Sequence, residues 1–170
     1  MIAPRVEVVD EKTIRLTGLN RLVATCLQGV GEILAQRDAP AVDSRLMPRP
    51  STDADINAEW EKFVTPDLRH IFVTAGETVL RDLTALESDP RRPKWFRVAF
   101  PIAHLDAWLS ALNQARIILG ERFQVTDQAM ERRDLDPQSE SDLALLRIHL
   151  LGWILELLVE FSRGEANPPE

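Results

Sequence analysis

Tyrosine is missing from this 170-residue chain, cysteine occurs once, and there are only seven glycines. Each shortage removes a class of chemistry. A lone thiol, Cys26, cannot build an intrachain disulfide framework, and it fits a reducing compartment. The scattered glycines form neither the G-x-x-x-x-G-K nor the G-x-G-x-x-G pattern that cradles phosphates, and no G-x-S-x-G elbow presents a serine nucleophile. His70, His104 and His149 fall in three separate predicted helices without H-x-x-x-H spacing, so no metal or other cofactor is expected. Long uncharged apolar runs are lacking too. The most apolar stretch, Leu143 to Phe161, carries Arg147, His149, Glu156 and Glu160. Each charge at membrane depth costs about 2.5–3.5 kcal/mol, so the stretch reads as a buried helix and not a span. The first residues show no basic stretch followed by an apolar core. The expectation is a cytoplasmic protein with no membrane segment.

What is present is a globular composition, 45% hydrophobic and 28% charged. Residues 1–170 are read as a single domain, long enough to bury a sizeable core. The net charge of −7 repels a phosphate backbone on average, so nucleic-acid binding would need a local basic patch. Only three of the twenty basic residues are lysine, which together with the missing tyrosine fits a GC-rich genome.

Hydrophobic periodicity predicts a mainly α to α+β fold: about five helices with a small antiparallel N-terminal hairpin and a third strand able to join it. Val6, Val8, Ile14 and Leu16 alternate with polar residues on either side of Asp10-Glu-Lys-Thr, which places the hairpin over residues 5–18. From Asn20 to about Arg37 apolar residues recur at three- and four-residue steps, as on one helix face. Pro40, Pro48 and Pro50 predict an extended linker. Ser51, Thr52 or Asp53 can cap a helix carrying Ile56, Trp60 and Phe63. Thr65-Pro66-Asp67 predicts a new helix start, with Thr65 as its cap. Asp89 to Pro93 reads as a loop, and Trp95 to Phe100 as the third strand. Further helices are predicted from about His104 to Arg122 and from Ser139 to about Ser162, where Ser139 and Asp142 resemble a capping box. Residues 164–170 read as a frayed tail. The last helix is apolar on most of its circumference, so it is either central to the bundle or a contact between two copies in a homodimer.

Several residues invite a functional reading. Asp53-Ala-Asp55-Ile-Asn57 begins like a calcium loop, but Ala58 and Val64 stand where such a loop needs glycine and glutamate. Cys26 sits on an apolar helix face, which favours a packing role over redox sensing. Arg91, Arg92, Lys94 and Arg97, interleaved with Trp95, form the densest basic cluster, a candidate contact for nucleic acid or a protein partner. The competing reading is a charged loop leading into a strand. Asn113 and Arg116 lie three residues apart beside an apolar stripe. Arg116 can grip a ligand carboxylate or pair with an internal acid.

Taken together, Ser44-Arg-Leu-Met-Pro48, Glu59-Trp-Glu-Lys-Phe63, Trp108-Leu-Ser-Ala-Leu-Asn113-Gln-Ala-Arg116, Leu119-Gly-Glu-Arg122 and Leu151-Gly-Trp-Ile-Leu-Glu156 resemble an uncharacterised, mainly actinobacterial family. Its members are often labelled transcriptional regulators, and its genes commonly lie near that of the ClpS adaptor. The resemblance spans most of the chain and implies a cytoplasmic regulator with no catalytic residues to carry over. The reading is therefore a non-enzymatic regulatory or adaptor protein, acting on a protein partner in the transcription or proteolysis machinery. Two alternatives stand beside it: a direct DNA-binding regulator, and an enzyme or small-ligand binder with a pocket between helices near Arg116.

Overall fold

The computed structural model describes residues 3–164, so the expected tail from residue 165 onward lies outside the described residues. Strands β1 (Arg5–Asp10) and β2 (Thr13–Leu19) form the expected hairpin. Lys12 N donates to the Asp10 carboxylate at 2.8 Å, which fixes the turn. The sheet has four antiparallel strands in the order β1-β2-β4-β3, completed by β3 (Glu87–Asp89) and β4 (Arg92–Pro101). The third strand therefore forms, and it begins three residues earlier than expected. Pro93 is tolerated because it falls where the β3–β4 register shifts, between the pairs Ser88–Phe96 and Asp89–Arg92.

Between Leu16 and Leu19 strand β2 carries one more residue than β4 does between Val98 and Phe96. Gly18 absorbs this bulge at φ 71°, a conformation that side chains with a Cβ seldom adopt. The extra residue resets the alternation, so Leu16 and Leu19 both reach the core, each fully buried.

The helices depart from expectation at several places. The stretch from Asn20 is two helices, α1 (Arg21–Gln28) and α2 (Val30–Leu34), with Gly29 between them. Asn20 caps the first by accepting from Val23 N at 2.9 Å. The expected extended linker contains a helix, α3 (Pro40–Leu46), because Pro40 stands in the first turn, where its missing N–H costs nothing. α4 (Ala54–Phe63) is capped by Asp53, which accepts from Asp55 N and Ile56 N. Buried Asn57 bonds Ser51 through both ends of its amide and ties the preceding loop to α4. Only Val64, itself helical, separates α4 from α5 (Thr65–Leu83), so Thr65 is a helical residue and not a cap.

After β4 a single 3-10 turn leads into α6 (Leu105–Arg122). A short α7 (Asp127–Met130) precedes α8 (Glu140–Ser162), the longest helix. Ser139 caps α8 by accepting from Asp142 N. The reciprocal half of the expected capping box does not form. The Asp142 carboxylate instead takes both Nη groups of Arg132, at 2.9 and 3.1 Å, and Asp136 N at 2.9 Å. One contiguous core joins the inner sheet face to α1, α2, α6 and α8, with Trp108, Phe100, Leu112, Ile118 and Leu151 among its buried members. No helix among the described residues is long and apolar enough to cross a membrane.

The Asp136 amide, and then the Arg132 guanidinium, hold the Asp142 carboxyl below its ordinary value of 3.8. A depressed carboxyl contributes stability that is present above the unfolded value and is lost as pH falls through the folded one. Asp142→Asn should therefore be less stable than the wild type at pH 7. Its denaturant midpoint should also fall less steeply between pH 4 and pH 2. Parallel acid limbs for the two proteins would contradict this account.

Candidate functional site

Two surfaces gather the residues singled out by the sequence. The first is a depression of about 280 Å³ on the outer face of the sheet. On β4, alternation sends Val98 and Phe100 inward with Phe96 packed beside them, and leaves half-buried Trp95 and Arg97 outside. Arg91 and Arg92 lie at the β3–β4 turn, and both line the depression together with Trp95 and Arg97. Lys94 is exposed on the same strand but does not line it. Strand pairing adds Arg5 and Arg15, which the sequence reading missed. They are remote in sequence, and only the register Arg5–Thr17 and Glu7–Arg15, with Arg15 opposite Ala99, brings them beside β4. Two of these five arginines are already ion-paired, and one further acid is bonded to a backbone N–H. Arg5 bonds Glu7 at 2.8 Å, Arg97 bonds Glu87 at 2.7 Å, and Asp89 accepts from Arg91 N at 2.9 Å.

The second surface is an open groove between α6 and α8, floored at one end by Phe72 of α5 and edged by Arg45 and Leu46 of α3. Its main portion measures about 1190 Å³, and a continuation of about 520 Å³ shares Asn113, Arg116, Ile117 and Ile148 with it. Trp153 stands in the groove, 38% exposed. Arg116 lines both portions. Its Nε is buried with no hydrogen-bond partner, and among the described residues its guanidinium makes no ion pair. Of the two readings open for Arg116, internal pairing with an acid is thus not realised among those residues. By contrast Arg37, whose Nη1 is also unpartnered, is anchored by donating from Nε to Leu34 O at 3.0 Å.

Gly152 explains how Arg116 lies where it does. A Cβ at this position would stand 3.4 Å from both Cζ and Nε of Arg116, so the bare α8 backbone is the surface on which the guanidinium rests. Gln114, almost fully buried, donates from Nε2 to Ser110 Oγ at 3.1 Å and to Phe72 O at 3.3 Å. That leaves its Oε1 as an acceptor without a partner. An unsatisfied donor and an unsatisfied acceptor thus lie buried beneath the groove's surface, whereas buried polar groups in folded proteins are almost always paired. Glu156 and Glu160, one turn apart on α8, line the groove together with Arg163 just beyond the helix. Arg45 is engaged with Glu121 at 3.4 Å.

Cys26 belongs to neither surface. It is 5% exposed, and its Sγ lies 3.9 Å from Arg147 O. Burial pushes its thiol up to about 11, which disfavours the thiolate that redox chemistry needs. Asp53 and Asp55 serve helix α4, and among the described residues no group of three or more histidine, cysteine or acidic side chains is placed to hold a metal ion.

A family model described as Domain of unknown function (DUF2017) matches residues 8–162. No curated protein and no solved structure matches the chain.

Two outcomes follow for these residues. Gly152→Ala meets only the movable end of Arg116 and removes a glycine from a helix interior, so it should raise stability by about 0.5–1 kcal/mol in thermal melts. The same change should shift the Arg116 Nε–Hε resonance; an unmoved resonance would mean that the guanidinium does not rest there. Cys26 should react with a thiol reagent only after denaturation, and Cys26→Ala should cost about 1 kcal/mol through a small cavity. Rapid labelling of the native protein would restore the redox reading.

Proposed function

The chain belongs to the DUF2017 family, and we propose that it is a non-enzymatic regulatory or adaptor protein that holds a segment of a protein partner in the α6/α8 groove. The observation that carries this reading is the groove itself. It is open, lined by Phe72, Ile117 and Trp153, and carries the side chains of Asn113 and Arg116, which no ion pair engages among the described residues. Such mixed concave surfaces suit ligands that bring both apolar side chains and hydrogen-bonding groups. The enzyme alternative lacks comparable support. Ser110, the hydroxyl beside Arg116 and Asn113, receives its hydrogen bond from Gln114, and no base is bonded to it among the described residues. The resemblance to regulators encoded near the ClpS adaptor favours a cytoplasmic partner from the transcription or proteolysis machinery.

A second reading, direct DNA binding, draws on the five arginines around the sheet depression. Three acids on the same face offset part of that charge, and the chain as a whole is acidic. Such a face gives weak, salt-sensitive attraction and not selective readout.

The two readings separate in one experiment. A photo-crosslinking amino acid at position 153 should trap a discrete protein partner in native lysate, whereas the same group at position 92 should not. Neutralising Arg91, Arg92, Lys94 and Arg97 together should leave the crosslink from position 153 intact. Sequence-selective binding of duplex DNA tighter than about 10⁻⁷ M at physiological salt, near the range of specific regulators, would overturn the adaptor reading.

A further inference from the structure

We infer that Arg116 is the specificity-determining residue of the groove, receiving the side-chain carboxylate of an aspartate or glutamate in the bound partner segment; the inference rests on the groove being a peptide site. Arg116 is incompletely paired. Its Nε is enclosed against Gly152, out of a ligand's reach, and no acid among the described residues holds the guanidinium. The planar fork turns its two Nη groups, which have no hydrogen-bond partner among those residues, to a carboxylate that can take two parallel N–H bonds from them. Asn113 lies one turn earlier on the same face of α6, exposed, with an amide able to donate toward the same position.

Arg116 shares the groove with Glu156 and Glu160 and with Arg45 and Arg163, of which Arg45 is already engaged by Glu121. In so nearly balanced a groove, on a chain carrying −7, one guanidinium suits the single charge of a carboxylate better than a phosphate dianion. Arg116 lines both portions of the groove and so stands partway along it, not at a closed end. A segment running through places an internal side chain there, whereas a chain terminus would suit a dead end. Glu156 and Glu160 lie four and eight residues beyond Gly152 on α8, about 6 and 12 Å along the helix axis. They are placed to attract a lysine or arginine about two to four residues from the acid in an extended segment.

The probes are two pools of N-acetylated, C-amidated octapeptides, one with a central glutamate and one with glutamine there. The remaining positions are drawn from leucine, phenylalanine, alanine and lysine. Binding is read from the Arg116 Nε–Hε and Trp153 indole resonances, the former assigned by its loss in Arg116→Lys. The glutamate pool should shift both resonances and bind about tenfold or more tightly than the glutamine pool. Arg116→Gln should abolish that preference while still binding the glutamine pool, which shows that the variant is folded. Equal affinity for the two pools would overturn the inference. So would a stronger response to inorganic phosphate, or to glutamine peptides with a free C-terminal carboxylate. Movement of Trp153 without Arg116 removes the carboxylate site alone and leaves the groove as a peptide site. Silence at both residues removes the two together.

Discussion

The arrangement of helices against the sheet depends on one buried carboxylate. Asp82, near the end of α5 and with its side chain 8% exposed, accepts from Trp108 Nε1 at 2.9 Å and bonds His104 Nδ1 at 2.9 Å. His104 must carry its proton on Nδ1 to make that bond, which sets the ring's tautomer if it is neutral. Trp108 is fully buried and stacks on Phe100 of β4, with ring centroids 4.3 Å apart. Through these contacts one side chain joins the end of α5, the start of α6 and the middle of the sheet. A carboxylate can occupy such a place only while its donors remain, because removing either would leave it desolvated and underpaired.

That clamp bears directly on the groove. α6 forms one wall, and its first turn is fixed by Asp82. The connection beyond its last turn is tied down where Arg132 meets Asp142 at the beginning of α8. Fixed ends leave the facing stretches of α6 and α8 little freedom to close on each other, so Arg116 stays half-exposed over Gly152 instead of collapsing into the core. The sheet face differs in kind. There Glu7, Glu87 and Asp89 already meet arginine or backbone donors within a few residues or across one strand, so the charge of the five arginines is partly offset on the spot.

The legibility of these features in the sequence follows from how local their causes are. The hairpin, α6 and α8 were readable because alternation or three-to-four spacing continues long enough to dominate. β3 was not, because Glu87-Ser88-Asp89 has poor strand propensity and is extended only by its pairing with β4. α3 was hidden by Pro40, which signals a break yet is equally at home in a first helical turn. At the groove, Asn113 and Arg116 stood out from spacing alone, while their counterpart Gly152 did not. A glycine inside an apolar helix announces nothing until the neighbouring helix is in place. Arg5 and Arg15 joined the basic cluster through strand register, which no local pattern encodes.

The pairing of β2 with β4 also sets a timetable for synthesis on the ribosome. The hairpin is complete once Leu19 has been made, but its partner strand ends at Pro101. At about 5–20 residues per second, translating the intervening stretch of roughly eighty residues takes about 4–16 s. Until β4 arrives, β2 lacks the neighbour on one edge that helps bury Ile14, Leu16 and Leu19 in the finished protein. The hairpin's second edge is thus completed only by a strand made seconds after it.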